Sequence, residues 1–347
     1  MATGITIEPP GAAHETDVVI IGAGPCGLFA VFECGMLKMR CHVIDVLEAP
    51  GGQCVALYPE KPIYDIPACP EISAQALVDR LDEQIRPFAP SLHLAQRADA
   101  IEDTADGGFR VRTSAGTTIG ARAVIVAGGG GAFGPNRPPL PGLTAYEGRS
   151  VYYLVARRED FRGRRVVIAG GGDSAVDWAI SLAEVADRIY VVHRRDKFRA
   201  APESVARMKA LTGGGKVELV IPYQLAGLEG DDGQLSGVVV STLKGETRTL
   251  EADRLLPFFG LATDIGPIAG WGLSTDQGHV PVMPATMEST RRGVFAIGDI
   301  AHYPGKLKLI LTGFAEAAIA AHAAFSRVHP DEALHFEYST SKGIPGA

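Results

Sequence analysis

The chain is poor in cysteine, and what it has is badly placed for the usual cysteine chemistries. All five, Cys26, Cys34, Cys41, Cys54 and Cys69, fall in the first fifth of the 347 residues, and no two are spaced C-x-x-C. That excludes a local redox pair or a zinc-binding knuckle, so no metal is expected. Free thiols in a reducing cytoplasm are the plain expectation. No run approaches the ~18 uninterrupted apolar residues that would span a bilayer. The first residues lack a charged-then-apolar signal pattern, so export is not expected. Positive charge is in deficit, with a net charge of −7. This argues against a general nucleic-acid or anionic-membrane surface, though not against a local basic patch. With 46% apolar and 21% charged residues, the length suits two domains, each with its own core.

Residues 17–22, DVVIIG, form a short apolar run of the kind that makes a buried parallel strand. A glycine-rich turn, an apolar helix over 25–39 and a second strand, CHVID, complete a β-α-β unit. The stretch 50–70 is rich in Pro, Gly and Tyr and reads as irregular loop. Residues 72–86 read as a helix and 98–125 as β-hairpins ending in a strand. The pattern then repeats as RRVVIAGGG, SAVDWAISLAEVA and RIYVVHRR. GVFAIGDI resumes the first unit, followed by a small-residue helix beginning near Thr312. The expected fold is α/β: two Rossmann-like nucleotide-binding domains of three-layer ββα type, the second inserted in the first. The expected bounds are 1–127 with 288–347, and 128–287.

The first glycine loop is Gly22-x-Gly24-x-x-Gly27, directly after a strand and opening a helix. The first glycine permits the tight turn, the second lets backbone approach a pyrophosphate, and the third lets helix pack on strand. The helix N-terminus adds free N–H groups and a positive dipole end. Asp45 ends the next strand 23 residues after Gly22, where a carboxylate can accept from ribose hydroxyls. The second loop is Gly170-x-Gly172-x-x-Ala175, opening a helix at Asp173 and Ser174. The same offset from Gly170 reaches His193, followed by Arg194 and Arg195, with Lys197 and Arg199 close by. A carboxylate there would repel a 2′-phosphate, whereas guanidinium groups hold one by charge-assisted hydrogen bonds. The second nucleotide is therefore expected to be NADP(H).

Two fingerprints, with the second unit inserted in the first, resemble the thioredoxin reductase family of flavoproteins. GAGPCG, Gly51-Gly52-Gln53, VAGGGG, GGGDSA, HRRDKFRA and FAIGDI carry the resemblance. It implies FAD in the first domain. It also implies that Asp299 bonds the flavin ribityl chain and that the helix near Thr312 points its N-terminus at the flavin. Thioredoxin reductases carry a C-x-x-C pair just after the second glycine loop, where this chain reads DSAVDWAISL. Electrons would then have to leave directly from the flavin.

That departure, with GGQCVALYPEKPIYDIP, GAFGP, LKLILTGFAEAA and YSTSKG, is similar to the thioredoxin reductase-like ferredoxin–NADP(+) reductases. This second resemblance implies a homodimer. Tyr58 would stack on one flavin face, and Tyr338, in the partner subunit's tail, on the other. Cys26, Gln53, Ala98, Phe133 and Thr340 fall where that family contacts FAD, Ala98 through its backbone. Hydride transfer between nicotinamide and flavin needs no side-chain acid or base, so no catalytic residue is assigned. The implied partner is ferredoxin or flavodoxin. A docking patch is sought in Arg157, Arg158, Arg162, Arg164 and Arg165, or in Lys306 and Lys308. A disulfide reductase acting through an external dithiol, or a flavin- and NADP-binding sensor without turnover, stay as alternatives.

Overall fold

The computed structural model describes residues 4–334 and 343–344, with backbone alone over 132–135 and 261–263. Two compact units emerge, Met1–Phe133 with Thr263–Ala347, and Gly134–Ala262.

In the first unit six parallel strands lie in the order Thr6–Ile7, Ser91–His93, Cys41–Ile44, Val18–Ile21, Ala123–Val126 and Val294–Ala296. The central strands, VVII and AVIV, are buried throughout, because both faces of the sheet are covered. Their side chains alternate between two cores. Val18 and Ile20 pack with the helices Pro25–Met36, Ala74–Ile85 and Ile310–Val328. Val19 and Ile21 pack with Phe109, Val111 and Ile119 of a second sheet, built from Ala13–Glu15, Thr118–Ala121, Phe109–Thr113 and Ala98–Asp103. The helix Pro25–Met36 lies against Ile310–Val328, whose buried face is almost all small: Gly313, Ala317, Ala320, Ala321 and Ala324.

The second unit repeats the layering. Val217–Val220, Arg188–Val192, Arg165–Ala169 and Arg254–Pro257 form a parallel sheet. Val166 and Ile168 face the helix Asp173–Leu182, while Val167 and Ala169 face a three-stranded antiparallel sheet through Val238, Val240 and Leu250. Both units are thus three-layer ββα Rossmann-like folds.

Several details differ from the sequence expectations. The units divide at 133/134 and 262/263 rather than 127/128 and 287/288. Ile268, Trp271, Leu273 and Val280 belong to the first unit's second core, and Trp271 Nε1 donates to Asp99 O at 3.1 Å. The loop over 50–70 contains a helix, Gly52–Leu57. The helix expected near Thr312 begins two residues earlier, at Ile310.

Candidate functional site

The strand Val18–Ile21 passes into the helix Pro25–Met36 through a turn that only glycine permits. Gly22 has φ +112°, and a Cβ there would collide with Ala127 O. A Cβ on Gly27 would collide with Gly22 O, so the helix sits as close to the strand as backbone allows. Gly24 caps the helix without a side-chain bond, and Pro25 follows it. The first-turn N–H groups are therefore left for a ligand.

Asp45 ends the neighbouring strand and is 7% exposed. Its carboxylate accepts from Ala23 N at 2.5 Å and Leu47 N at 2.8 Å. Burial pushes this carboxyl above its ordinary range, while those N–H groups pull it down. One side chain thus fixes the glycine turn and presents its remaining lone pairs to the cleft beside it.

That cleft lies wholly within the first unit. Gly22, Gly24, Cys26, Asp45, Gln53, Ala98 and Asp299 all line it, with Lys308, Leu309 and Ile310 at the start of the last helix. Gln96 N donates to Asp45 O, placing the 96–98 segment at the Asp45 end. Gly52 packs against Gly24, and Cys26 against Gly298, so Gln53 and Asp299 lie across the turn from Asp45. A helix N-terminus, a glycine turn and a buried carboxylate lining one cleft suit a dinucleotide. Burial raises the Cys26 thiol to about 12 and the Cys54 thiol to about 11, so neither is a nucleophile at neutral pH. Cys26 fills space instead: its sulfur occupies the gap that a Cβ on Gly313 would need.

Tyr58 does not line the cleft. It caps the end of the helix Gly52–Leu57, with Lys61 Nζ 5.7 Å from its ring centre. Tyr338 and Thr340 lie outside the described residues, as does the side chain of Phe133.

In the second unit Gly170 packs against Phe258 O, and Gly172 caps the helix that Asp173 and Ser174 open. The His193 ring rests over Gly171, where any Cβ would strike it, and lies tilted by 31° against Phe198 with ring centres 5.1 Å apart. Burial, then the neighbouring arginines, lowers the pKa of His193, against a backbone hydrogen bond at Lys197 that raises it. The basic loop is latched onto the glycine turn twice. Arg199 N donates to Gly171 O at 2.7 Å, and Ala201 N donates to Asp173 Oδ1 at 3.0 Å. The sequence places Asp173 and Ser174 with Gly170 and Gly172 as candidate nucleotide contacts, and nothing in it signals this bond between Asp173 and Ala201. Arg194, Arg195 and Arg199 are exposed, and among the described residues none has a carboxylate partner.

The arginines sought as a docking patch behave differently. Arg157 pairs with Asp160, Arg158 with Glu184, Arg162 with Glu159, and Arg165 with Glu251 and Asp253. Most of that run is neutralised, leaving Arg164 exposed. Lys306 is also not a surface cation. Its ammonium is buried against Glu316, while Lys308 is exposed and hydrogen-bonded to His279 Nε2 at 2.7 Å. Among the described residues no group of His, Cys, Asp or Glu has metal-holding geometry, and no helix is long and apolar enough to cross a membrane.

A family model described as pyridine nucleotide-disulphide oxidoreductase matches residues 16–324. A ferredoxin–NADP reductase of Paramagnetospirillum magneticum is 64% identical over 334 residues, covering 96% of this chain and 99% of the relative. One from Rhodospirillum rubrum is 62% identical, covering 96% and 97%. Among solved structures, the thioredoxin reductase of Lactococcus lactis superposes with a TM-score of 0.76 at 25% identity, covering 91% of this chain and 99% of its own. That of T. acidophilum gives 0.77 at 22%, covering 90% and 98%, a likeness of fold.

Proposed function

The chain belongs to the pyridine nucleotide-disulphide oxidoreductase family, and from that footing we propose that it is an FAD-dependent ferredoxin–NADP(+) reductase. The observation that carries the choice of acceptor is the cysteine distribution. The second unit has no cysteine at all, and the two thiols in the cleft are raised far out of the thiolate range. Electrons arriving from NADPH then have no C-x-x-C dithiol beside the second glycine loop to pass through, which supports a direct one-electron acceptor, ferredoxin or flavodoxin.

In this reading Gly22, Gly24, Gly27 and Asp45 hold the pyrophosphate and ribose of FAD. Cys26, Gln53, Ala98, Phe133, Asp299 and Thr340 complete its site, with Tyr338 as one stacking ring. Tyr58, at the end of the helix whose Gln53 and Cys54 line the cleft, has to turn towards the flavin to serve as the other. Gly170, Gly172, Ser174 and His193 shape the NADP(H) site, Asp173 latches its loop, and Arg194, Arg195 and Arg199 hold the 2′-phosphate. FAD, when bound, takes an electron pair as hydride and gives electrons up singly. The protein's part is positional: Asp45 fixes the turn, and Ile265, Pro267, Ile268 and Trp271 give the cleft an apolar side. The start of the helix Ile310–Val328 favours negative charge on the cofactor. The enzyme acts in the cytoplasm, where five free thiols persist, as a homodimer with each tail reaching its partner.

NADPH oxidation measured side by side with ferredoxin, a disulfide and a dye tests the proposal. Ferredoxin turnover with no disulfide turnover is expected. Disulfide reduction, or dye reduction without ferredoxin reduction, would overturn it.

A further inference from the structure

Behind the cleft wall lies an ion pair that the electron-transfer reading leaves unused. The side chains of Lys306 and Glu316 are 4% and 2% exposed and bonded to each other. Glu316 Oε1 also accepts from Tyr303 Oη at 2.6 Å, and burial with this bond raises the Tyr303 hydroxyl to about 12. The other carboxylate oxygen, Oε2, accepts from Gly298 N at 2.8 Å. Gly298 has φ +71°, and the next residue, Asp299, faces the cleft. Cys26 seats its sulfur between Gly298 and Gly313, and Gly313 lies one turn before Glu316 on the same helix. The pair is thus one residue removed from the cleft. Burying two charges is costly unless each is fully met, and here the carboxylate is met by three donors, Lys306 Nζ, Tyr303 Oη and Gly298 N, the last of which belongs to the turn that carries Asp299.

We propose that Lys306 and Glu316 are positioning residues of the FAD site, holding the Gly298–Asp299 turn and keeping the charge behind the cofactor balanced. The inference rests on the FAD reading above. A reduced flavin carries extra negative charge, so an uncompensated cation beneath it favours reduction and an uncompensated anion opposes it.

The test is the flavin midpoint potential of the holoprotein, read with FAD retention. Lys306→Met is expected to move the potential negative and Glu316→Gln to move it positive. The double variant, with no lone charge, is expected to return close to the starting value. Shifts of one sign, or none, with FAD still bound would overturn the inference, because a merely structural role gives loss of FAD without opposed potentials. Should a single variant not fold, Tyr303→Phe keeps both charges and removes one donor from the carboxylate. It is expected to move the potential negative, and an unmoved value counts against the inference. Protein that takes up no FAD when supplied with it would sink the FAD reading itself.

Discussion

Replacing Arg194 and Arg195 with alanine probes the NADP(H) assignment most directly. Both side chains are exposed at the end of the strand Arg188–Val192 and are free of carboxylate partners among the described residues. Their removal therefore breaks no internal ion pair, and the fold should stand. A charge-assisted hydrogen bond is worth roughly 1.5–3 kcal/mol. Solvent exposure discounts each of these to about 1–1.5 kcal/mol, at or below the bottom of that range. Two lost contacts then amount to about 2–3 kcal/mol, or roughly 30–150-fold in affinity at 1.4 kcal/mol per decade. NADH has no 2′-phosphate and should lose little. The assay is KM for NADPH and NADH with a dye acceptor, together with the salt dependence of each. Equal losses for both nucleotides, or an unchanged ratio, would refute the argument.

Asp45→Ala should lower FAD retention by at least tenfold, since Ala23 N and Leu47 N lose their acceptor as the ribose loses its partner; an unchanged flavin content after dialysis would count against it. Gly313→Ala should destabilise the protein by about 1–3 kcal/mol through collision with the Cys26 sulfur, and Cys26→Ala in the same chain should recover most of the melting temperature. A third test concerns His42 and His93, which share a 2.9 Å contact in the first unit, with the pKa of each lowered by burial to about 4. The unfolded chain, with histidine near 6.5, binds protons first, so this penalty is absent above about pH 6.5 and grows as pH falls towards 4. For fully buried His93 it reaches on the order of 3 kcal/mol. Melting temperatures at pH 5.5 and 7.5 should therefore differ, and His93→Gln should flatten the difference.

Much of the fold was legible because it is written in local pattern. Fully apolar four-residue strands, glycines at fixed offsets and a small-residue helix each carry their own physical reason, and Gly22 with φ +112° sits where the fingerprint puts it. Boundaries were less legible. The segment 264–287 carries no fingerprint of its own, and it is Ile268, Trp271, Leu273 and Val280 entering the first unit's core that assign it there. The arginine run 157–165 looked like a surface for a partner, but its carboxylates come from as far away as Glu251 and Asp253.

The chain by itself settles which chemistry types are present: one carboxylate and one basic cluster at the same offset from two glycine turns, and no cysteine beyond residue 69. Those are one-dimensional facts, fixed by spacing within a single β-α-β unit. What meets what was decided by folding. Glu316 lies 18 residues from Gly298, and Asp173 lies 28 residues from Ala201, with no sequence signal joining either pair. The Glu316 bond forms because burial removes water from both partners and leaves that oxygen only Gly298 N to satisfy it. The Asp173 bond, by contrast, is solvent-exposed and exists because the chain's return past the glycine turn brings Ala201 N to the start of that helix.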